Sequence, residues 1–135
     1  MVANGPKKSS KERETILIVD DEPSIIDVTR DILKVLGYEV LTAKGGREAV
    51  QLYRQQADRI DLVILDMVMP DMGGEDTFDL LRAIQPAVRV ILASGYSEAG
   101  QVQQLMERGC RGFLPKPYRI TDLAKKVRAV LDQES

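Results

Sequence analysis

Histidine is absent from this 135-residue chain. That absence removes imidazole-based triads, imidazole metal ligands and any phosphohistidine donor inside the chain, so a phosphoryl donor has to be another molecule or another part of a longer protein. Cysteine occurs once, at Cys110, which excludes an internal disulfide and leaves zinc without the paired thiolates it favours. The sequence shows no signal-peptide pattern and no apolar run long enough to cross a bilayer, so the cytosol is the expected compartment and no membrane contact is expected. Charge of either sign is also not in excess. The 19 basic and 21 acidic residues leave a formal net charge of -2, which gives no general pull toward nucleic acid.

What remains is the composition of a globular protein, 44% hydrophobic and 30% charged, with enough length for one domain and too little for two ordinary ones. Residues 1–14 carry Gly5, Pro6, lysines and serines without an apolar period and are expected to form a flexible tail or linker, leaving 15–135 as the domain. Apolar runs at Ile16 to Val19, Tyr38 to Ala43, Leu62 to Leu65, Val88 to Ala93 and Gly112 to Leu114 predict five strands. Helical spacing falls between and after them. The first helix follows Pro23, with Ile25, Val28, Ile32 and Leu36 recurring up to Gly37, and the second opens at Gly45-Gly46 with Ala49, Val50 and Tyr53 inward. Phe78, Leu81 and Ile84 mark the third, closed by Pro86. The fourth runs from about Glu98 to Arg108 ahead of Gly109, and Leu123, Val127, Val130 and Leu131 mark the fifth.

Five β-then-α units imply an α/β, doubly wound parallel sheet with helices on both faces, since each parallel crossover needs a connection of helical length. Of the two common doubly wound orders, 2-1-3-4-5 is chosen, because the other uses six strands. This order sets the first and third strands side by side, so that Asp20 and Asp21 lie next to Asp66 at the carboxyl edge where such sheets hold their ligands. Ser94 and Lys116 follow the fourth and fifth strands at the same edge. Crowded carboxylates stay ionised only with a shared cation, and a hard ion with oxygen ligands such as Mg²⁺ suits an open acidic pocket. With phosphate drawn in, the Asp66 carboxylate can attack phosphorus, Ser94 can donate to one phosphoryl oxygen, and Lys116 can neutralise another.

The markers DDE at Asp20 to Glu22, DMVMPDMGG at Asp66 to Gly74, ASGY at Ala93 to Tyr96 and GFLPKPY at Gly112 to Tyr118 resemble the receiver domain of two-component response regulators, a flavodoxin-like fold. The resemblance covers about Thr15 to Leu131. It implies that Asp66 is the phosphoacceptor, that Asp20 and Asp21 bind Mg²⁺ with Asp66 and the backbone carbonyl of Val68, and that Ser94 and Lys116 are the hydroxyl and lysine of the site. It also implies that Phe113 is the switch aromatic and that the Lys116-Pro117 peptide is cis. The implied function is acceptance of a phosphoryl group from a sensor histidine kinase or histidine phosphotransfer protein, catalysed by the acceptor itself, so the chain is not expected to be a separate enzyme. The ASGYSE and GFLPKPY segments look particularly like receivers at the carboxyl end of hybrid sensor histidine kinases, where residues 1–14 would be an interdomain linker.

Two other functions use similar residues. A Mg²⁺-dependent phosphohydrolase also works through an aspartyl phosphate, but enzymes of the haloacid dehalogenase type typically carry a second Asp two residues beyond the nucleophile, where this chain has Val68. An unphosphorylated scaffold would not need the intact acidic set. Val68 and Tyr96 are expected to border the phosphoryl group, and neither suits the orienting of a hydrolytic water, so slow self-dephosphorylation is expected. Met67, Met69 and Met72 are expected to pack, Cys110 to be an inert half-buried thiol, and Arg119, Lys125, Lys126 and Arg128 to form a solvated face on the last helix that could meet an acidic partner.

Overall fold

The computed structural model describes residues 13–95 and 98–133, and within them every expected strand and helix is present. The strands are β1 (Thr15–Val19), β2 (Glu39–Ala43), β3 (Leu62–Asp66), β4 (Val90–Ser94) and β5 (Gly112–Pro115). All pair in parallel in the order β2-β1-β3-β4-β5, the order chosen from the sequence. The helices are α1 (Pro23–Val35), α2 (Gly46–Gln56), α3 (Gly74–Ile84), α4 (Ala99–Glu107) and α5 (Ile120–Leu131).

Alternation along the strands divides the apolar side chains between two layers. Leu17, Val19, Val63, Leu65, Val90 and Leu92 pack with Val50, Tyr53, Phe78, Leu81, Val102 and Leu105 from α2, α3 and α4. Ile16, Ile18, Leu62, Ile64, Ile91 and Ala93 pack with Ile26, Leu33, Leu123 and Val127 from α1 and α5 on the other face. Complete burial of one such aliphatic side chain stabilises by roughly 1.5–3 kcal/mol, so either layer outweighs any single polar contact described below. Arg89 is a buried cation inside this framework. Its guanidinium donates to the carbonyl oxygens of Val130 and Leu131 at the end of α5, where helical carbonyls run out of intrahelical partners.

Two expectations are corrected. The buried residues of α1 are Ile26, Thr29 and Leu33; of those recurring at helical spacing, Ile32 packs partly against the core, whereas Val28 is 59% exposed and Leu36 45% exposed. The cause is a polar member of the buried face, since the Thr29 hydroxyl is paired at 2.9 Å with the Tyr118 hydroxyl and hydropathy alone does not count it as core. β4 begins at Val90 instead of Val88, because the Val88 N–H is spent on the Gln85 carbonyl in the turn that ends α3. The helix ends follow the punctuation. Gly37 (φ 100°) and Gly109 (φ 121°) take left-handed conformations just beyond α1 and α4.

The loop after β3 is held in place by close approach. A Cβ on Gly74 would lie 2.8 Å from the Met67 Cα, so α3 starts against the backbone directly after Asp66. From the same loop, the Asp71 carboxylate accepts from the N–H groups of Gly46 (3.1 Å) and Arg47 (3.0 Å) and so caps α2 across a sequence gap. These bonds, that of Arg47 first, lower the Asp71 pKa. Asp71→Ala should therefore reduce stability in urea by about 1 kcal/mol, with Asp71→Asn losing less; an unchanged midpoint in the Ala variant would mean that the cap contributes nothing.

Candidate functional site

The register that builds the sheet also aligns its carboxyl ends. Asp66 pairs with Ala93, Ser94 pairs with Pro115, and β1 ends beside Leu65, so Asp20, Asp66, Ser94 and Lys116 all emerge at one edge. Backbone bonds tie these ends together, with the Asp20 N–H on the Ala43 carbonyl, the Met67 N–H on that of Ala93, and the Lys116 N–H on that of Ser94 at 2.8 Å.

The Lys116 ammonium bridges two acids, 2.8 Å from Asp20 Oδ2 and 3.1 Å from Asp66 Oδ1. Asp20 uses its other oxygen to accept from the Glu22 N–H at 3.0 Å, which fixes the carboxylate at the entry to α1. Asp21 is exposed and completes the group: one carboxylate oxygen from each of Asp20, Asp21 and Asp66 lies within 4.8 Å of the others. The Lys116-Pro117 peptide is cis.

Burial is the largest influence on Asp66 and disfavours its charged form; the neighbouring Asp20 carboxylate adds repulsion. Lys116 and the Val68 N–H oppose both, and the balance raises the Asp66 pKa to about 6. Burial works the other way on Lys116, but its bonds to Asp20 and Asp66 outweigh that cost and raise its pKa. Three carboxylates against one ammonium leave negative charge in a partly dry pocket, and all the donors are oxygens, which fits a hard divalent cation.

The sequence model of the response regulator receiver domain matches residues 16–128. The chain belongs to that family. Its fold agrees with the crystal structure of a response regulator receiver domain protein from Clostridium thermocellum, at a TM-score of 0.85 and 30% identity over 88% of this chain and 94% of that one. It is also similar to the CheX–CheY complex with beryllofluoride and magnesium from Borrelia burgdorferi, with a TM-score of 0.87 and 26% identity over 94% of this chain and 96% of that one. Among curated proteins it is 33% identical over 120 residues to the sensor kinase CckA of Brucella abortus, covering 89% of this chain and 13% of that protein. It is 34% identical over 116 residues to the transcriptional regulatory protein CpxR of Escherichia coli, covering 86% of this chain and 48% of that protein. The receiver thus spans half or less of these longer relatives. Receiver domains bind Mg²⁺ at an acidic pocket and interact with histidine kinases, and Asp20, Asp21 and Asp66 form such a pocket. Among the described residues no helix is long and apolar enough to cross a membrane.

The remaining sequence candidates are placed as follows. Ser94 is buried at the edge, with its hydroxyl engaged by Glu98. Val68 is 59% exposed beside the Asp66 carboxylate, and Phe113 is half-buried against the α2, α3 and α4 layer. Tyr96 lies outside the described residues. Met67 and Met69 pack in the core. Cys110 is fully buried instead of half-buried, which pushes its thiol up to about 12. On α5, Arg128 is paired with Glu14 and Asp132, so it does not present an open charge. Sequence reasoning missed Glu98 and Asp71 as site-organising acids. The available signal was an acid at the start of a helix, three residues after Gly95, or in the turn before one.

The raised pKa of Asp66 makes stability depend on pH. The unfolded carboxyl titrates near its ordinary value of 3.8, the folded one near 6, so the folded state holds the extra proton between these values. The corresponding stability is complete below about pH 4 and is lost as pH rises through about 6. In the absence of divalent cation, Asp66→Asn should therefore be more stable than the parent at pH 7.5 by about 1–2 kcal/mol, a range reduced for solvent screening. The gap should close as pH falls to 4. Unfolding curves across that range check this, and a less stable Asn variant at pH 7.5 would contradict it.

Proposed function

We propose that this receiver accepts a phosphoryl group on Asp66 from a partner phosphohistidine and changes conformation in response. The observation that carries the reading is the Lys116 ammonium held between Asp20 and Asp66, because it places a cation beside the one strand-end carboxylate that is also crowded by acids. An Asp66 oxygen attacks phosphorus as the P–N bond of the donor breaks, and the imidazole leaves with the electron pair and takes up a proton. Lys116 is within reach of a phosphoryl oxygen carried on Asp66, and the Ser94 hydroxyl can turn to donate to another. Asp20, Asp21 and Asp66 would hold Mg²⁺ with the Val68 carbonyl, and the bound ion supplies positive charge that offsets the acids and the phosphoryl oxygens.

The donor has to approach beside the edge of the sheet, and the surface there is apolar. Ile25, Val28, Pro117 and Tyr118 line a cavity of about 240 Å³ between α1 and the loop after β5, and Lys116 is also part of its lining. An amphipathic helix of a kinase or phosphotransfer protein suits that groove. Val68 gives no proton to a leaving group, so the chain acts as a self-catalysing acceptor and not as a phosphohydrolase enzyme. The intact acid set likewise separates it from a silent scaffold. In this reading residues 15–135 are the receiver, and residues 1–14 are either a linker to other parts of a hybrid kinase or the tail of a free-standing receiver. Phe113 reports the switch by turning further inward when Ser94 moves.

Incubation with acetyl phosphate and Mg²⁺ followed by intact-protein mass spectrometry tests the central reading. One added phosphoryl mass is expected in the parent and none in Asp66→Asn; modification that survives in Asp66→Asn would overturn it. The lifetime of the product follows from Val68, which cannot orient water. Val68→Asn should shorten the phospho-Asp66 half-life between about threefold and tenfold, and an equal half-life would place control of water access elsewhere.

A further inference from the structure

The Ser94 hydroxyl is engaged by a partner outside the acidic pocket. Ser94 is 1% exposed, and its Oγ lies 2.9 Å from Glu98 Oε1 and 2.9 Å from the Gly95 carbonyl oxygen. A hydroxyl has a single proton, and of these two acceptors the carboxylate binds it more strongly. The same Glu98 oxygen accepts from the Gly95 N–H at 2.9 Å, so one carboxylate gathers the end of β4 and the start of α4. No hydrogen bond joins Ser94 to Asp66 among the described residues.

Building on the phosphoacceptor reading, we infer that Glu98 is a latch that competes with the phosphoryl group for the Ser94 hydroxyl. For Ser94 to donate to a phosphoryl oxygen on Asp66, its bond to Glu98 has to break. The site is then phosphoryl-competent only in the fraction of molecules with the latch open, and the apparent affinity for a phosphoryl group or its mimic falls by that fraction. A hydrogen bond to a charged acceptor is strong enough to lower that fraction about tenfold. Glu98 is therefore a positioning residue that acts through Ser94.

The latch also gives the phosphoryl group a mechanical consequence. α4 contributes Val102 and Leu105 to the core, a light anchorage for a helix. Its carboxyl end is clamped to α3, where Arg108 pairs with Glu75 and Asp79 and Arg82 donates to the Arg108 carbonyl. Its amino end is gathered by Glu98. Loss of the Ser94 bond loosens that end while the clamp holds the other, so phosphorylation selectively frees the first turn of α4.

Equilibrium binding of beryllofluoride in the presence of Mg²⁺, followed by amide NMR, tests the latch. Glu98→Ala should bind the mimic about tenfold more tightly than the parent, and Glu98→Gln, which keeps the size and loses the charge, about threefold more tightly. In a Ser94→Ala background, which binds more weakly, Glu98→Ala should produce no further gain. Equal binding by the parent and both Glu98 variants would overturn the latch while leaving the phosphoacceptor reading intact. A gain that persists without the Ser94 hydroxyl would also overturn it, since a loosened loop and not competition would then be the cause. Failure of the parent to bind beryllofluoride at all would overturn the phosphoacceptor reading and the latch together.

Discussion

The Lys116 ammonium between the Asp20 and Asp66 carboxylates is the contact on which the rest of this receiver depends. Two unit charges of the same sign about 4 Å apart repel by roughly 1–4 kcal/mol across the range of effective dielectric found between bulk water and protein surfaces. The sheet nonetheless brings three carboxylates to one edge, because the parallel register that buries Val19, Leu65 and Leu92 leaves the residues following them nowhere else to emerge. Two apolar layers supply the stability that holds the acids together, and one ammonium offsets part of their repulsion. The excess negative charge that remains is what makes the pocket receptive to a cation.

The surrounding loops keep that arrangement from relaxing outward. α3 begins in close contact with the Met67 backbone, Asp71 fastens the same loop to the start of α2, and the Glu22 N–H donates to the Asp20 carboxylate as α1 begins. Each holds the chain next to an acid through main-chain groups, which have fewer ways to move than long side chains. The exception is the segment after β4. There the Glu98 carboxylate accepts from the Gly95 N–H and also from the side-chain hydroxyl of Ser94, and the helix that follows is lightly packed. The rigid loops and this side-chain contact meet at the same sheet edge, and under the proposed latch a change confined to Asp66 would reach α4 through it.

Much of this was legible in the sequence because it rests on period and punctuation. Five apolar runs gave the strands, the count of units gave their order, and the acids at strand ends gave the pocket without any knowledge of contacts. The inward face of α1 was not legible, since the hydroxyl pair of Thr29 and Tyr118 joins residues far apart in the chain and places a polar side chain where hydropathy expects an apolar one. The start of β4 depended on how the Gln85 turn spends its N–H groups. Asp71 and Glu98 escaped notice for a related reason. Asp71 accepts from backbone N–H groups of a helix that precedes it by two dozen residues, and Glu98 shares its carboxylate between the Gly95 N–H and the Ser94 hydroxyl, contacts that a pattern of side chains does not display.

The crowding of acids around Lys116 is tested most directly by carbon-13 NMR titration of the Asp66 carboxyl with and without Mg²⁺. The account predicts titration near pH 6 in the absence of the ion, well above the ordinary carboxyl value, and a fall when Mg²⁺ is added as the shared cation relieves the repulsion. An Asp66 carboxyl that titrates near 3.8 and does not respond to Mg²⁺ would contradict it.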